Sequence, residues 1–143
     1  MCSISGIING DLASLKKMID AQSHRAPDES GYYKKNNILI GMGRLKIIDL
    51  KSSNLCPYED SEIILSYNGE IYNYLELRKE LKEYKWKFKT SSDIEVLANS
   101  WKQWGYKMFE KLNGMFAISI YDKKKNIILL ARDIAGEKPL YYS

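Results

Sequence analysis

Apolar positions along the chain recur with two periods, about two residues and about three and a half, and the changes of period mark out the elements. Residues 3–8 alternate weakly and are apolar enough for a buried strand, after which Leu12, Leu15, Lys16 and Ile19 take the spacing of a short helix. Residues 24–31 form a polar loop. Tyr32-Tyr33 and Ile38-Leu39-Ile40 flank Lys34-Lys35-Asn36-Asn37 as a hairpin, and the second strand is predicted to run through Gly41, Gly43 and Arg44 to Ile48. Two glycines inside that strand point to close backbone approach. Residues 51–60 read as a long connection, followed by a core strand at 63–67 that runs into Asn68-Gly69. Asn73 with Glu76, and Ser92 with Glu95, carry the spacing of helix-opening capping boxes. Tyr74, Leu77, Leu81 and Tyr84 share a face of the first of these helices. Ile94, Leu97, Ala98 and Trp101 make the stripe of the second, which ends at Gly105. Residues 116–121 and 127–132 form a last hairpin around a solvated Lys123-Lys124-Lys125 turn, and 139–142 are predicted to open a further strand.

Many strands joined by hairpins, with two or three helices, predict an α+β fold of mostly antiparallel sheets. Several strands are apolar on both faces, so a sheet-on-sheet sandwich with helices outside fits best. At 143 residues the chain suits one domain spanning 1–143, and its 45% hydrophobic content leaves no need for staples. Two cysteines and one histidine give no cluster at zinc-ligand spacing. The net charge of +4 is scattered, which points to neither nucleic acid nor a membrane surface as partner. No basic stretch precedes an apolar run at the N-terminus, and no apolar stretch approaches the roughly 18 residues of a membrane span. A cytoplasmic protein is expected.

Chemistry concentrates at a few positions. Cys2 follows the initiator methionine, and removal of Met1 would leave a thiol beside its own α-amine. An α-amine of pKa about 7.7–8.0 is a suitable base for a thiol and needs no histidine. The alternative is a small buried residue opening a strand. Asn68-Gly69 reads locally as a hairpin turn, and functionally as an oxyanion hole built from the Gly69 N–H and the Asn68 amide. Arg44, in the nearly apolar stretch 43–49, is either a carboxylate clamp or half of an internal ion pair with Asp49 or Glu70. Asp93 reads locally as a negative charge that favours its helix N-terminus. His24 reads as a loop hydrogen-bonder.

Taken in order, Met1-Cys2-Ser3-Ile4-Ser5-Gly6-Ile7, His24-Arg25-Ala26-Pro27-Asp28, Arg44-Leu45-Lys46-Ile47-Ile48-Asp49 and Tyr67-Asn68-Gly69-Glu70-Ile71-Tyr72-Asn73 resemble successive blocks of one family. Ser92-Asp93-Ile94-Glu95-Val96, Leu112-Asn113-Gly114-Met115-Phe116-Ala117 and residues 131–142 continue the series. The family is the class II, N-terminal-nucleophile glutamine amidotransferase domain, of the kind found in glutamine-hydrolysing asparagine synthetases.

The resemblance implies a four-layer αββα sandwich, and it implies roles. Cys2 would attack the glutamine carboxamide with its α-amine as base, while Asn68 and Gly69 hold the oxyanion. Arg44 would clamp the substrate α-carboxylate, Asp93 and Glu70 would receive its α-ammonium, and Leu45, Lys46, Ile47 and Ile48 would line the pocket. The glutaminase step needs no cofactor. ATP and Mg2+ would belong to a synthetase domain, in cis or trans, that turns aspartate into asparagine, and a homodimer is possible. Amidotransfer to another acceptor such as an amino sugar, or a catalytically silent regulatory module, are the alternatives. Ala26 stands where the family loop has Gly, Ser3 where Gly is commoner after the cysteine, and Cys56 where it has Gln. The family's domain continues beyond Tyr142, so the resemblance implies that the chain is a fragment or an unusually short member.

Overall fold

The computed structural model describes residues 2–53 and 55–143. The first sheet contains β1 (Ser3–Ile8), β2 (Glu29–Lys35) and β3 (Ile38–Arg44) in the order β1-β3-β2. The second contains β4 (Tyr58–Glu59), β5 (Ile63–Ile71), β6 (Gly114–Asp122) and β7 (Ile127–Arg132) in sequential order. Every pairing is antiparallel. Helix α1 (Leu12–Ala21) covers the outer face of the first sheet, and α2 (Tyr74–Glu83) and α3 (Asp93–Trp104) cover the outer face of the second. The layers run helix, sheet, sheet, helix, as expected.

Alternation along β3 and β5 explains the stacking. Leu39 packs on Leu15 and Ile19 of α1, and a Cβ at Gly41 would sit 2.7 Å from Ile19, so that glycine lets the helix approach. On the opposite face of β3, Ile40 meets Ile64 and Tyr121 of the second sheet. Ser66 donates to the Gly41 carbonyl between the sheets. The other face of β5 belongs to the helices: Ile63, Leu65 and Ile71 join Leu81, Leu97 and Trp101 in the main core.

Several boundaries differ from the sequence expectation. β2 begins at Glu29 rather than Tyr32, because Glu29 stays in register opposite Arg44. β3 ends at Arg44 instead of continuing to Ile48. Beyond it, Asp49 adopts φ 57°, and the Arg44 guanidinium takes the carbonyls of Ile48, Asp49 and Ser52 that a strand would offer to a neighbour. The connection 51–60 contains the short strand β4, paired with Ile64 and Leu65. Asn68-Gly69 lies inside β5, not at a turn. Residues 139–142 form no strand, and Tyr141 and Tyr142 are exposed. The Asp133 carboxylate accepts the N–H groups of Glu137 and Lys138, folding the approach to this segment into a turn.

Neither helix cap works as its spacing suggests. Asn73 and Ser92 occupy the cap positions without a capping hydrogen bond. Asn73 instead bridges to the Lys111 carbonyl and the Asn113 N–H, and Glu95 reaches back to the N–H groups of Lys89 and Thr90. Tyr84 caps α2 on the exposed side rather than joining its buried face. Gly105 does end α3, at φ 56°. The lysine run forms the predicted turn between β6 and β7, with its three ammonium groups on Glu59, Glu62 and Asp122.

Candidate active site

The open edge of β5 creates the site. β4 pairs only with Ile64 and Leu65, so from Ser66 onward β5 has no strand on that side among the described residues. Both backbone groups of Phe116 bond to Asp133, on the β7 side. The facing pair Gly69 and Phe116 is therefore a non-hydrogen-bonded one, and the Gly69 N–H points away from β6 toward the open edge. Ile71, two residues on, points the same way, and its N–H reaches the Asp93 carboxylate. Gly69 is also obligatory for packing, since a Cβ there would lie 2.0 Å from the Met115 carbonyl oxygen.

A cavity of about 50 Å³ lies at this edge. Its wall brings together Cys2 from the start of β1, Arg44 from the end of β3, Gly69 and Glu70 from β5, and Asp93 from the first position of α3. Leu45, Ile47 and Ile48 close it from the loop after β3. Met42, Tyr67, Ile94 and Met115 complete the wall and were not singled out by the sequence for this site. Tyr67, Ile94 and Met115 lie inside the motif blocks and Met42 two residues before Arg44, but side-chain direction requires the register.

Two expected residues are not on the wall. Lys46 turns to Glu29, with Nζ 3.8 Å from its carboxylate, while its N–H bonds Asp28 at 2.7 Å. Asn68 is buried behind Gly69 on the face toward the first sheet, and its Oδ1 has no hydrogen-bond partner among the described residues. His24 lies in an exposed 3-10 turn (Ser23–Arg25), away from the cavity. Met1, whose removal the sequence suggests, lies outside the described residues.

Arg44 is nearly inaccessible. One nitrogen of its fork donates to the Ser52 carbonyl at 3.0 Å and pairs with Glu29 at 3.5 Å; the other donates to Ile48 and Asp49, each at 3.1 Å. Its ion-pair partner is thus Glu29 and not the Asp49 or Glu70 carboxylate. Asp49 ties the same loop to the approach of α3. It accepts the N–H and hydroxyl of Ser52 and the N–H of Ser91, two residues before Asp93.

Burial pushes the Cys2 thiol above its ordinary value; nearby Asp93 adds to the rise and Arg44 opposes it. The thiol donates to the Leu45 carbonyl, with Sγ 3.8 Å from the oxygen. At neutral pH it is protonated, so nucleophilic attack requires a base. Burial also raises Asp93, against hydrogen bonds from the Tyr67 hydroxyl and from N–H groups at the helix start. Cys56 differs from Cys2. It is buried, donates to the Met42 carbonyl at 2.9 Å, and is pushed up to about 12 by burial. It fills core space as an unreactive thiol. Ala26 has a φ of −139°, so the loop makes no left-handed bend there that would require the family's glycine. The described residues contain no group of three or more His, Cys, Asp or Glu able to hold a metal. No helix among them is long and apolar enough to cross a membrane.

The sequence model of the glutamine amidotransferase domain family matches residues 1–143. The chain belongs to that family. Among curated amidotransferase relatives, an asparagine synthetase [glutamine-hydrolyzing] 2 of Bacillus subtilis is 40% identical over 155 residues, covering 100% of this chain and 20% of that protein. Asparagine synthetase B [glutamine-hydrolyzing] of Escherichia coli is 36% identical over 148 residues, covering 99% and 26%. A solved glutamine phosphoribosylpyrophosphate amidotransferase of B. subtilis, complexed with ADP and GMP, superposes with a TM-score of 0.51 at 25% identity, over 69% of this chain and 24% of that one. The fold is accordingly that of the N-terminal-nucleophile amidotransferases, and the chain spans between 20% and 32% of the length of the curated relatives it matches.

Proposed function

We propose that this domain hydrolyses glutamine to glutamate and ammonia through a thioester on Cys2. The observation that carries the proposal is the cavity itself. Thiol, guanidinium and carboxylate from three distant stretches of sequence converge on the one strand edge where a glycine N–H is unpaired with β6. In this reading, removal of the residue before Cys2 frees its α-amine, which accepts the thiol proton as sulfur attacks the carboxamide carbon. The Gly69 N–H and the Asn68 amide hold the oxyanion. The amine passes its proton to the departing nitrogen, ammonia leaves, and water then cleaves the thioester to give glutamate.

Arg44 meets the substrate α-carboxylate and Asp93 its α-ammonium, with Glu70 close by. Leu45, Ile47 and Ile48 exclude water from the reacting centre, and Lys46 braces their loop through Glu29. Anchoring both charges of the amino acid positions the carboxamide and selects glutamine. The step needs no cofactor. The ammonia would serve asparagine synthesis, which the names of the relatives support, and we expect an ATP- and Mg2+-dependent synthetase domain to use it in a cytoplasmic protein.

The test is glutamate release from glutamine by a sample shown by intact mass to begin at Cys2, beside a Cys2→Ala variant. Release is expected from the first and none from the second, with both equally folded. Turnover retained in Cys2→Ala would refute the nucleophile, and silence from a folded, correctly processed sample would refute a self-sufficient glutaminase.

A further inference from the structure

Tyr67 shares the cavity wall with Cys2 and Asp93 and has no part in the steps above. It is buried, and its hydroxyl donates to Asp93 Oδ2 at 2.9 Å. Asp93 is itself buried and enters no ion pair among the described residues. A buried carboxylate without a cation is costly, and it persists in ionised form only where hydrogen bonds replace its lost water. Here those bonds come from the α3 N-terminus, from Ile71 and from the Tyr67 hydroxyl. Tyr67 is the side-chain donor in that set, and the rest are backbone. The charged and titratable groups that share this wall are Cys2 just before β1, Glu70 from β5 and Arg44 from β3, and the fork of Arg44 is occupied by Glu29 and three carbonyls.

We infer that Tyr67 is a positioning residue for amino-acid selectivity: its hydroxyl holds the Asp93 carboxylate ionised and oriented, so that the cavity prefers a carboxamide acid bearing an α-ammonium over one without it. The inference rests on the reading of this cavity as a glutamine site. A neutral or rotated Asp93 would offer the ammonium a weak dipole in place of a full charge. The rest of the pocket would bind as before, because phenylalanine keeps the ring that packs in the main core and on the cavity wall. Burial and the adjacent carboxylate keep the hydroxyl protonated far above the ordinary tyrosine range, so it remains a donor at every pH of interest.

The experiment compares wild type, Tyr67→Phe, Asp93→Asn and the double variant, with glutamine as substrate and glutaramate, which is glutamine lacking its α-amine, as competitive inhibitor. In Tyr67→Phe, KM for glutamine is expected to rise about tenfold with little change in kcat, the loss of one hydrogen bond to a charged group. The inhibition constant of glutaramate stays at the wild-type value. The acid limb of kcat/KM moves to higher pH, because Asp93 without its donor protonates sooner. In the Asp93→Asn background, Tyr67→Phe is expected to leave the glutamine-to-glutaramate ratio where the asparagine put it. Equal weakening of both ligands, an unmoved acid limb, or additive effects in the double variant would each overturn the inference and return Tyr67 to a packing role. Wild-type protein that neither binds nor hydrolyses glutamine would overturn the glutamine-site reading and this inference with it. Wild-type activity matched in every respect by Tyr67→Phe would overturn this inference alone.

Discussion

Alanine at position 69 probes whether the oxyanion donor and the strand pairing depend on the same missing methyl group. An alanine Cβ would lie 2.0 Å from the Met115 carbonyl oxygen and 2.7 Å from the Phe116 Cα, both backbone atoms of β6. No side-chain rotation relieves such contacts, so β5 and β6 must move apart. Overpacking of this kind costs about 1–3 kcal/mol, and contact with backbone favours the upper end. The reduced freedom of the unfolded chain returns about 0.4–1 kcal/mol. A net loss of about 2 kcal/mol lowers the melting temperature by roughly 8 °C in a domain of this size. Gly6→Ala is the control: it also sits mid-strand, but its nearest contact is an ordinary 3.4 Å to the Leu39 oxygen, and it should melt at or slightly above wild type. Because alanine keeps its N–H, any loss of glutamine hydrolysis beyond the loss of folded protein reports displacement of that donor. A shift of about 1 Å is enough for a hundredfold fall. Thermal unfolding followed by circular dichroism, with glutamate release at a temperature where both variants are folded, provides the assay. A Gly69→Ala protein that melts with the wild type would refute the close approach of β5 and β6 at this position.

Two further predictions concern single polar groups. Burial opposes ionisation of Asp49, yet hydrogen bonds from Ser52 and Ser91 outweigh it and hold the carboxyl at about 2. A carboxyl depressed from about 3.9 in the unfolded chain stabilises the fold above pH 4 and loses that contribution as pH falls toward 2. Solvent exposure reduces the effect to about 1–1.5 kcal/mol. Asp49→Asn should remove this part of the acid sensitivity in urea titrations at pH 2–6, and an unchanged pH slope would contradict it. Asparagine tolerates the φ of 57° at this position, so the backbone turn survives. Asn68→Ala is expected to raise the barrier to glutamine hydrolysis by about 2.7–4 kcal/mol as an oxyanion donor. A rate equal to wild type would confine Asn68 to the space between the sheets.

The layered fold was legible because strand and helix periods differ, and because hairpin turns such as Lys123-Lys124-Lys125 interrupt the apolar pattern where solvent meets the chain. Competition between hydrogen-bond partners was not legible. Asn73 and Ser92 have the spacing of caps, but the Lys111 carbonyl and the Asn113 N–H take the Asn73 amide, and no local rule weighs a partner some forty residues away. The end of β3 failed for the same reason. Its apolar run predicts four more strand residues, while Arg44 diverts three carbonyls into a loop. The candidate site residues come from local chemistry at Cys2, Asn68-Gly69, Arg44 and Asp93 and from the ordered family blocks, while nothing in the sequence brings the Tyr67 hydroxyl to Asp93.

Arg44 shows why a structural and a functional reading of one residue need not compete. Its guanidinium already satisfies three carbonyls of the loop 48–52 and one carboxylate, so the loop that closes the cavity exists because the cation is there. An arginine has five donors in a planar fork, more than one partner can use. The cation that would meet a substrate carboxylate is therefore also the one that shapes the loop over it. Asp49 extends the linkage, since its own carbonyl accepts from Arg44 while its carboxylate accepts from Ser91, two residues before Asp93. The positions proposed for the α-carboxylate and the α-ammonium are thus joined through a single loop residue. Separating structure from function at Arg44 requires a readout of loop order as well as of binding, because either loss alone would reach the other through Asp49.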